Sequence, residues 1–307
     1  MTFIKDQMKN ELEEVICRNA IKAVNKEINA TLRTIPGEER MFNDTLKTNY
    51  DLVRPPQFLH NGVESDFKGE FLNVKHPKTP PYTPEELPPI RDEHSKMVYI
   101  WVTAYTINTA FFAVNQSGLQ FLFDNDNLPD GAPVELNTNA FMLVVPTLYS
   151  KYPNKDMAIR YCSSAPAKIT LNPDDASVTL FGLMTFYVIL DDNKLVDCFT
   201  LNMVEVANID DILIFRKGSY SYFGLKLTSS RTDVTLQESH IGDFDLTLLR
   251  FTVDILAQFI LSRYISPKME EGFKLPLPKN VVLANSETAI GKNYILIFTD
   301  FGMQMAL

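Results

Sequence analysis

The side chains that most often carry catalysis are few and scattered in this sequence. The four histidines are His60, His76, His94 and His240. None of them stands in a motif with a serine or cysteine nucleophile, and the sequence has no phosphate-binding loop or dinucleotide fingerprint. The run Asp124–Asn127 begins like a calcium-binding loop, but Pro129 stands where such a loop needs glycine. The sequence therefore predicts neither an enzyme nor a metal site.

Cysteines and glycosylation sequons are the other residues with recognisable chemistry. Of the three cysteines, Cys17 lies in a predicted helix, and Cys162 and Cys198 lie in predicted strands. A disulfide between Cys162 and Cys198 would leave Cys17 without a partner, and counting alone leaves this pairing open. The sequons begin at Asn29, Asn43 and Asn115. These asparagines are the expected glycan sites if the chain is secreted.

The strongest pattern is hydrophobic and lies in a helix predicted for Asp243–Ser266. At roughly 100° per residue, its polar side chains form one narrow stripe, and apolar side chains cover most of the remaining surface. A helix that lies on one sheet needs an apolar stripe only a little over ~100° wide, and this helix has about twice that. We therefore expect it to be covered on two sides. It is either the core helix of a β-barrel or a helix with one side against a hydrophobic ligand.

Two apolar flanks of this helix are candidates for the ligand side. The first flank comprises Phe244, Leu248, Phe251, Ile255 and Phe259. The second flank comprises Leu246, Leu249, Val253, Leu256, Ile260 and Tyr264. A second apolar helix, predicted for Thr103–Gln116, adds Ile107, Phe111 and Phe112. We predict a lipid slot between these three residues and the first flank, although the sequence favours neither flank strongly.

A slot of this kind needs no charged site. Each methylene moved out of water contributes ~0.8 kcal/mol, so a chain of about sixteen carbons gains on the order of 12 kcal/mol. The alternative is an interaction or structural protein in which the same apolar surface is a sealed core. A charged substitution at Phe251 is expected to distinguish them, because a slot loses ligand whereas a sealed core unfolds.

Composition narrows the class of protein. The chain has 307 residues, of which 45% are hydrophobic and 22% charged, as in ordinary globular proteins. The net charge of −9 argues against nucleic acid as a partner, because binding to phosphates needs a basic patch. No uninterrupted apolar run approaches the ~18 residues of a membrane-spanning helix. The first residues also lack the apolar region of a secretory signal.

A proline-rich stretch divides the chain. Six of the fifteen residues in His76–Ile90 are proline, which excludes helix and inner strand. We predict three parts: residues 1–75 with an amphipathic helix over Phe3–Thr34, a linker over 76–95, and a complete barrel domain over 96–307. A faint repeat relates the strands Asn49–Val53 and Asn293–Ile297, each of which follows a long helix and a proline turn. Residues 1–75 are therefore expected to be the end of a second, truncated copy of the barrel.

Five segments in this order resemble one family of proteins. They are Asp51–Pro56, Phe67–Phe71, Lys96–Tyr99 with Asn108–Ala110, Ile241–Phe244 and Gly272–Pro278. The chain is similar over nearly its whole length to the bactericidal/permeability-increasing protein and lipopolysaccharide-binding protein family. Cholesteryl ester and phospholipid transfer proteins belong to the same group. None of the segments is a catalytic signature.

The resemblance implies an α+β fold in which a highly twisted antiparallel sheet or half-barrel, elongated overall, wraps around a long helix. It also implies a bound phospholipid or similar lipid, no other cofactor, and a secreted glycoprotein of lipid transport or innate immunity. Transient contact with a membrane or lipoprotein surface is expected. In the family, the counterpart of Cys17 is bridged to a cysteine earlier in the first barrel, a stretch that this chain lacks. The basic tip that binds lipopolysaccharide in antibacterial members lies in the same missing stretch. The resemblance therefore does not imply that this chain recognises lipopolysaccharide.

Overall fold

The structure is a computed structural model that describes residues 22, 37–41, 44–60, 62–88, 95–128, 130–275, 277 and 281–303. The helix predicted for Phe3–Thr34 lies outside the described residues, apart from Lys22. Cys17, Asn29 and Asn43 also lie outside them.

Long strands dominate the described part of the chain, and short helices join them. The strands are β1 Glu38–Met41, β2 Leu46–Asn49, β3 Gln57–Leu59, β4 Gly62–Glu64, β5 Glu70–Asn73, β6 Val98–Thr103, β7 Gln120–Phe123, β8 Met157–Asn172, β9 Asp175–Ile189, β10 Leu195–Lys217, β11 Tyr220–Ser239, β12 Phe273–Lys274, β13 Val281–Gly291 and β14 Tyr294–Met303. The helices are α1 Ala104–Asn115, α2 Pro146–Lys151, α3 Leu246–Ile260, the π-helical segment π1 Leu261–Ile265, and α4 Ser266–Glu270.

A six-stranded antiparallel sheet in the order β12-β11-β10-β9-β8-β7 forms the main layer. Its strand β10 is 23 residues long, whereas strands of about five or six residues are usual. Strands this long accumulate twist, and bulges at Thr200/Leu201 and Val206/Ala207 add local bends. The sheet therefore curls around α3, which confirms the predicted α+β half-barrel wrapped around a helix.

Two cores fill this curled sheet. The core beside α3 contains Phe186 and Phe199, whose rings stack with centroids 4.5 Å apart. The other core lies towards the three-stranded sheet β13-β14-β6 and includes Ile295 and Ile297, both fully buried. Alternate residues in the second half of β9 and the middle of β10 are buried in these cores, as expected for an antiparallel sheet with one buried face.

A separate three-stranded sheet, β1-β2-β5, packs against α1. The backbone N–H of Phe71 donates to Thr109 Oγ1 at 3.0 Å, and Tyr105 donates its hydroxyl to Glu70 at 2.8 Å. Residues 75–88 follow this sheet without any helix or strand, as their prolines require. The division of the chain into parts at residues 75 and 95 stays a prediction.

Several sequence predictions need correction. The predicted strand Ala140–Val145 is a series of turns, and the predicted strands Met157–Cys162 and Lys168–Leu171 are one strand, β8. Pro166 lies where β8 and β9 shift register, which is a position where a strand tolerates proline. The long helix is also different, because α3 ends at Ile260 and the chain then continues through π1 into α4.

Candidate functional site

The helix α3 packs on the sheet with one flank and faces solvent with the other. Its buried side chains Leu249, Val253 and Leu256 are at most 1% exposed. Leu248 is 55% exposed and Phe251 is 65% exposed. Among the described residues, the helix is thus covered on one side, and the expectation of cover on both sides is wrong.

An apolar cavity of about 50 Å³ lies where the end of α3 and π1 meet the sheet. Strands β7 to β10 form one wall, and the helical segments form the other. The lining residues are Phe121, Phe123, Ile159, Tyr161, Leu180, Met184, Met203, Glu205, Ala257, Ile260, Leu261, Tyr264 and Ile265. All of them except Glu205 are apolar or aromatic.

The segment π1 forms the outer wall of this cavity. A π-helical turn is wider than an α-helical one and is common at functional sites. Leu261 points inward and is 1% exposed, whereas Tyr264 is 37% exposed and lies at the rim. The Tyr264 ring meets the edges of Phe121 and Phe123, with centroids 5.4 and 6.0 Å apart. These aromatic contacts hold the rim closed.

The polar end of the cavity is formed by Glu205 and Tyr161. Glu205 is only 2% exposed, and the Thr232 hydroxyl donates a hydrogen bond to its carboxylate. The Tyr161 hydroxyl donates to the Phe181 carbonyl at 3.3 Å. Burial raises the pKa of Tyr161 to about 12, and electrostatic interaction with Cys162 and Glu205 adds to that shift. The tyrosine therefore stays neutral at physiological pH.

Gly182 on β9 makes room for the Tyr161 ring. A Cβ atom at Gly182 would lie 2.1 Å from a carbon of that ring, which no real contact allows. The Tyr161 ring thus covers Gly182 of the neighbouring strand. Because Gly182 has no side chain, the ring can occupy this position in the cavity wall.

The structure does not bring the predicted slot residues together. On α1, Ile107 is buried in the other core, Phe111 packs against the same core, and Phe112 contacts Tyr82. On the long helix, Phe244 packs on Phe199, Leu248 and Phe251 are exposed, and Ile255 and Phe259 are half-buried. None of these residues lines the cavity. The predicted slot between the two helices is therefore replaced by a cavity between one helix and the sheet.

The second flank reaches the cavity through Ile260 and Tyr264. The sheet residues Phe121, Tyr161 and Met184 were missed as site residues. Their alternation along the strands signals a buried face, but periodicity does not tell which part of that face lies beside a void.

The predicted disulfide between Cys162 and Cys198 is absent, since both are free thiols. Cys162 pairs with Leu183 of β9, and Leu183 pairs with Asn202 of β10, so one strand separates the two cysteines. Two strand spacings are about 10 Å, and Cα atoms more than ~7 Å apart cannot be bridged without moving the backbone. Burial raises the pKa of Cys198 to about 11, which keeps its thiol protonated.

Asn115 is the one predicted glycan site within the described residues. It is the last residue of α1, it is half-buried, and its side-chain oxygen accepts a hydrogen bond from Ser163 at 2.8 Å. Glycosylation at Asn115 stays a prediction.

The described residues are also informative about metal sites and membrane spans. They contain no group of three or more His, Cys, Asp or Glu side chains arranged to hold a metal ion. None of the helices in this part of the chain has the length and apolar character needed to cross a membrane.

Comparison with known proteins identifies the family. A family model described as "LBP / BPI / CETP family, C-terminal domain" matches residues 40–303. The chain belongs to this family. The resemblance inferred from the five sequence segments is confirmed, and so is the predicted class, a family of binding proteins rather than enzymes.

Individual members of the LBP/BPI/CETP family are distant in sequence. The bactericidal permeability-increasing protein of Sebastes schlegelii is 26% identical over 301 residues, which cover 97% of this chain and 62% of that protein. The lipopolysaccharide-binding protein of Mus musculus is 28% identical over 297 residues, covering 96% and 60%. The chain thus spans about three fifths of the length of these relatives.

A crystal structure of lipopolysaccharide binding protein has the same fold. The TM-score is 0.55 at 24% sequence identity, and the likeness covers 98% of this chain and 64% of the other. At that identity the likeness shows the fold alone.

Proposed function

We propose that this protein binds a phospholipid or a similar lipid and holds an acyl chain in the cavity between π1 and strands β7 to β10. The observation that carries the proposal is the composition of the cavity wall, in which every residue except Glu205 is apolar or aromatic. Transfer of apolar surface from water into such a wall supplies the binding free energy without a charged site. The bound lipid is the only cofactor that we propose, and we assign the protein no catalytic role.

Binding requires the cavity to open. Its volume of about 50 Å³ is well below the ~300–1,000 Å³ of typical ligand sites. The end of α3 and π1 would move away from the sheet, and the half-exposed Tyr264 ring would leave its contacts with Phe121 and Phe123. The π-helical turn at this position supports the proposal, because such turns within α-helices are frequent at functional sites.

The setting that we propose is extracellular, with transient contact to a membrane or lipoprotein surface from which lipid is taken. Relatives named for bactericidal permeability increase and for binding lipopolysaccharide support a role in innate immunity or lipid transport. We favour phospholipid over lipopolysaccharide, because the net charge of −9 offers no general attraction for phosphorylated glycolipid.

Filling the cavity tests the proposal. Ala257 lies on α3, is 8% exposed and lines the cavity. Ala257→Leu would occupy space for about two methylenes of ligand, which corresponds to about a tenfold loss of bound lipid. The measurement is native mass spectrometry of the full chain purified from cells, with circular dichroism to verify folding.

Gln258→Leu is the matched control, because Gln258 is the next residue on the same helix and is exposed. It should leave the amount of bound lipid unchanged. Folded wild-type protein that carries no lipid would rule the proposal out.

The second candidate is an interaction protein whose cores are sealed, and the small volume of the cavity favours it. The variant Phe251→Asp does not separate the two candidates, because Phe251 is 65% exposed and a charge there is solvated. The Ala257→Leu variant does separate them. If the core is sealed, neither the wild type nor the Ala257→Leu variant carries lipid, and the two proteins differ only in their free energy of unfolding.

A further inference from the structure

A second and larger recess lies away from the lipid cavity. This groove has a volume of about 550 Å³ and runs between β10 and β13, with α4 at its base. One wall consists of the consecutive residues Asp211–Phe215, and the other consists of the consecutive residues Ser286–Thr288. Glu270 of α4 completes it.

Both walls are strand edges rather than strand faces. A strand that presents a face contributes every second residue, whereas consecutive residues line a groove when the strand is approached from its edge. Pairing of β10 with β9 ends at Asn208, while pairing with β11 continues to Lys217. Among the described residues, the edge of β10 beyond Asn208 is therefore not paired with another strand on this side, and β13 lies across the groove from it. The strand β13 is likewise the outer strand of its sheet.

The hydrogen bonding of Ile212 fits this description of an edge. Its backbone N–H donates to the Asp211 side chain at 2.8 Å. A local carboxylate therefore accepts the hydrogen bond that a carbonyl of a neighbouring strand would otherwise accept. Because strand donors alternate, the N–H of Ile214 points to the same side. A strand edge with such groups is a template for an added strand.

The charges in the groove are mainly negative. Its walls carry the carboxylates of Asp211, Glu270 and Glu287. Lys96 forms an ion pair with Glu287 at 3.0 Å, and the hydroxyl of Ser266 donates to Glu270 at 3.1 Å. Two of the three carboxylates thus face the groove without a cation in the described ion pairs. An occupant with lysine or arginine side chains would complement them.

We propose that this groove binds an extended, basic segment of a partner protein, which adds as a strand to the edge of β10 and lies against β13. The backbone of the segment pairs with the edge of β10, and its alternate lysine or arginine side chains reach the carboxylates. The isoleucine side chains of β10 pack into the core that includes Ile295 and Ile297. None of the residues that line the groove also lines the apolar cavity, so the two sites are separate.

A synthetic peptide tests this interaction with the full chain. The probe is a fluorescent peptide of about eight residues that alternates lysine and valine, long enough to span five paired residues. Fluorescence anisotropy should show saturable binding that weakens as salt is raised, because the charges are partly exposed. Hydrogen exchange should slow at Asp211–Phe215 and at Ser286–Thr288 when the peptide is added.

Two modified peptides distinguish strand addition from other modes of peptide binding. N-methylation of alternate backbone amides removes strand donors without changing charge, and it should abolish binding. A glutamate–valine peptide should not bind. Equal binding of either modified peptide, or no binding of the basic peptide, would overturn the proposal.

The neutral variant Asp211→Asn/Glu270→Gln/Glu287→Gln should bind the basic peptide at least about fivefold more weakly, as expected from three partly exposed charge interactions.

A control variant, Asp126→Asn/Asp130→Asn/Asp174→Asn, makes the same change in net charge in exposed turns. It should bind as the wild type does, and an equal loss in both variants would contradict a local site. Slow exchange at the two edges before any peptide is added would mean that the groove is already filled by this chain or by a second copy. That result would also overturn the proposal.

Discussion

Tyr161 shows how a single residue connects the sheet with the candidate site. Its ring covers Gly182 on the next strand, its hydroxyl bonds to the Phe181 carbonyl, and its edge lines the apolar cavity. Burial near Glu205 makes the tyrosinate form unfavourable in the folded protein. The consequence is a link between the protonation of one side chain and the stability of the fold.

This link predicts a loss of stability at alkaline pH. The pKa of Tyr161 rises from 10.0 in the unfolded chain to about 12 in the folded protein, so the folded state holds more protons between those values. The contribution is present in full below pH 10 and is lost as pH rises towards 12, up to about 2–3 kcal/mol. Tyr50 and Cys198, whose pKa values are also raised by burial, act in the same direction.

The measurement is the free energy of unfolding in urea between about pH 8 and pH 11 for wild type and Tyr161→Phe. The variant should show a shallower decline because it lacks the titrating hydroxyl. Parallel declines in the two proteins would show that Tyr161 does not contribute.

At the scale of elements, α3 divides into a buried flank and an exposed one. Leu248 and Leu249 are neighbours in sequence and equal in chemistry, yet one is 55% exposed and the other fully buried. The hydrophobic pattern is nearly the same for both flanks, so only contact with the sheet distinguishes them.

Alanine substitution at these two neighbours measures the difference. Leu249→Ala should lower the free energy of unfolding by about 2–5 kcal/mol, because it leaves a cavity in the core beside α3. Leu248→Ala should change it by no more than about 0.5 kcal/mol. Urea denaturation of both variants is the test, and similar losses would contradict the observed packing of the helix.

Across the whole molecule, one asparagine connects the small sheet β1-β2-β5 to the rest. Asn73, at the end of β5, is 2% exposed, and its amide donates to the Ala113 carbonyl at 3.0 Å and to Ser117 at 2.7 Å. Its oxygen accepts from the backbone N–H groups of Lys75 and His76 at 3.0 and 2.9 Å. Asn73 thereby fixes both the sheet on α1 and the start of the proline-rich stretch.

Asn73→Ala should destabilise this junction by about 2–3 kcal/mol, because several buried groups lose their partner. Hydrogen exchange should become faster in β2 and β5 while β9 and β10 keep their protection. Asn49→Ala is the control, since Asn49 lies in the same small sheet and makes a single exposed bond to the Asp51 N–H. Uniform loss of protection, or none, would argue against a local junction.

Features set by local residues could be predicted from the sequence. The helix α1 was predicted as Thr103–Gln116 and observed as Ala104–Asn115, because Thr103 caps its start and Gly118 follows its end. Prolines at 77–88 excluded regular structure, and the alternating segments predicted most strands. The five family segments added the α+β half-barrel, which periodicity alone does not specify.

Features set by distant residues were decided only by the tertiary structure. The cavity joins Phe121, Glu205 and Tyr264, which lie on elements far apart in the chain, and the sheet selects which flank of α3 faces it. The groove between β10 and β13 depends on where pairing with β9 stops, and the separation of Cys162 from Cys198 depends on the strand between them. Periodicity reports how one element alternates between polar and apolar faces. It carries no information on which other element covers each face, because that depends on long-range strand order and register.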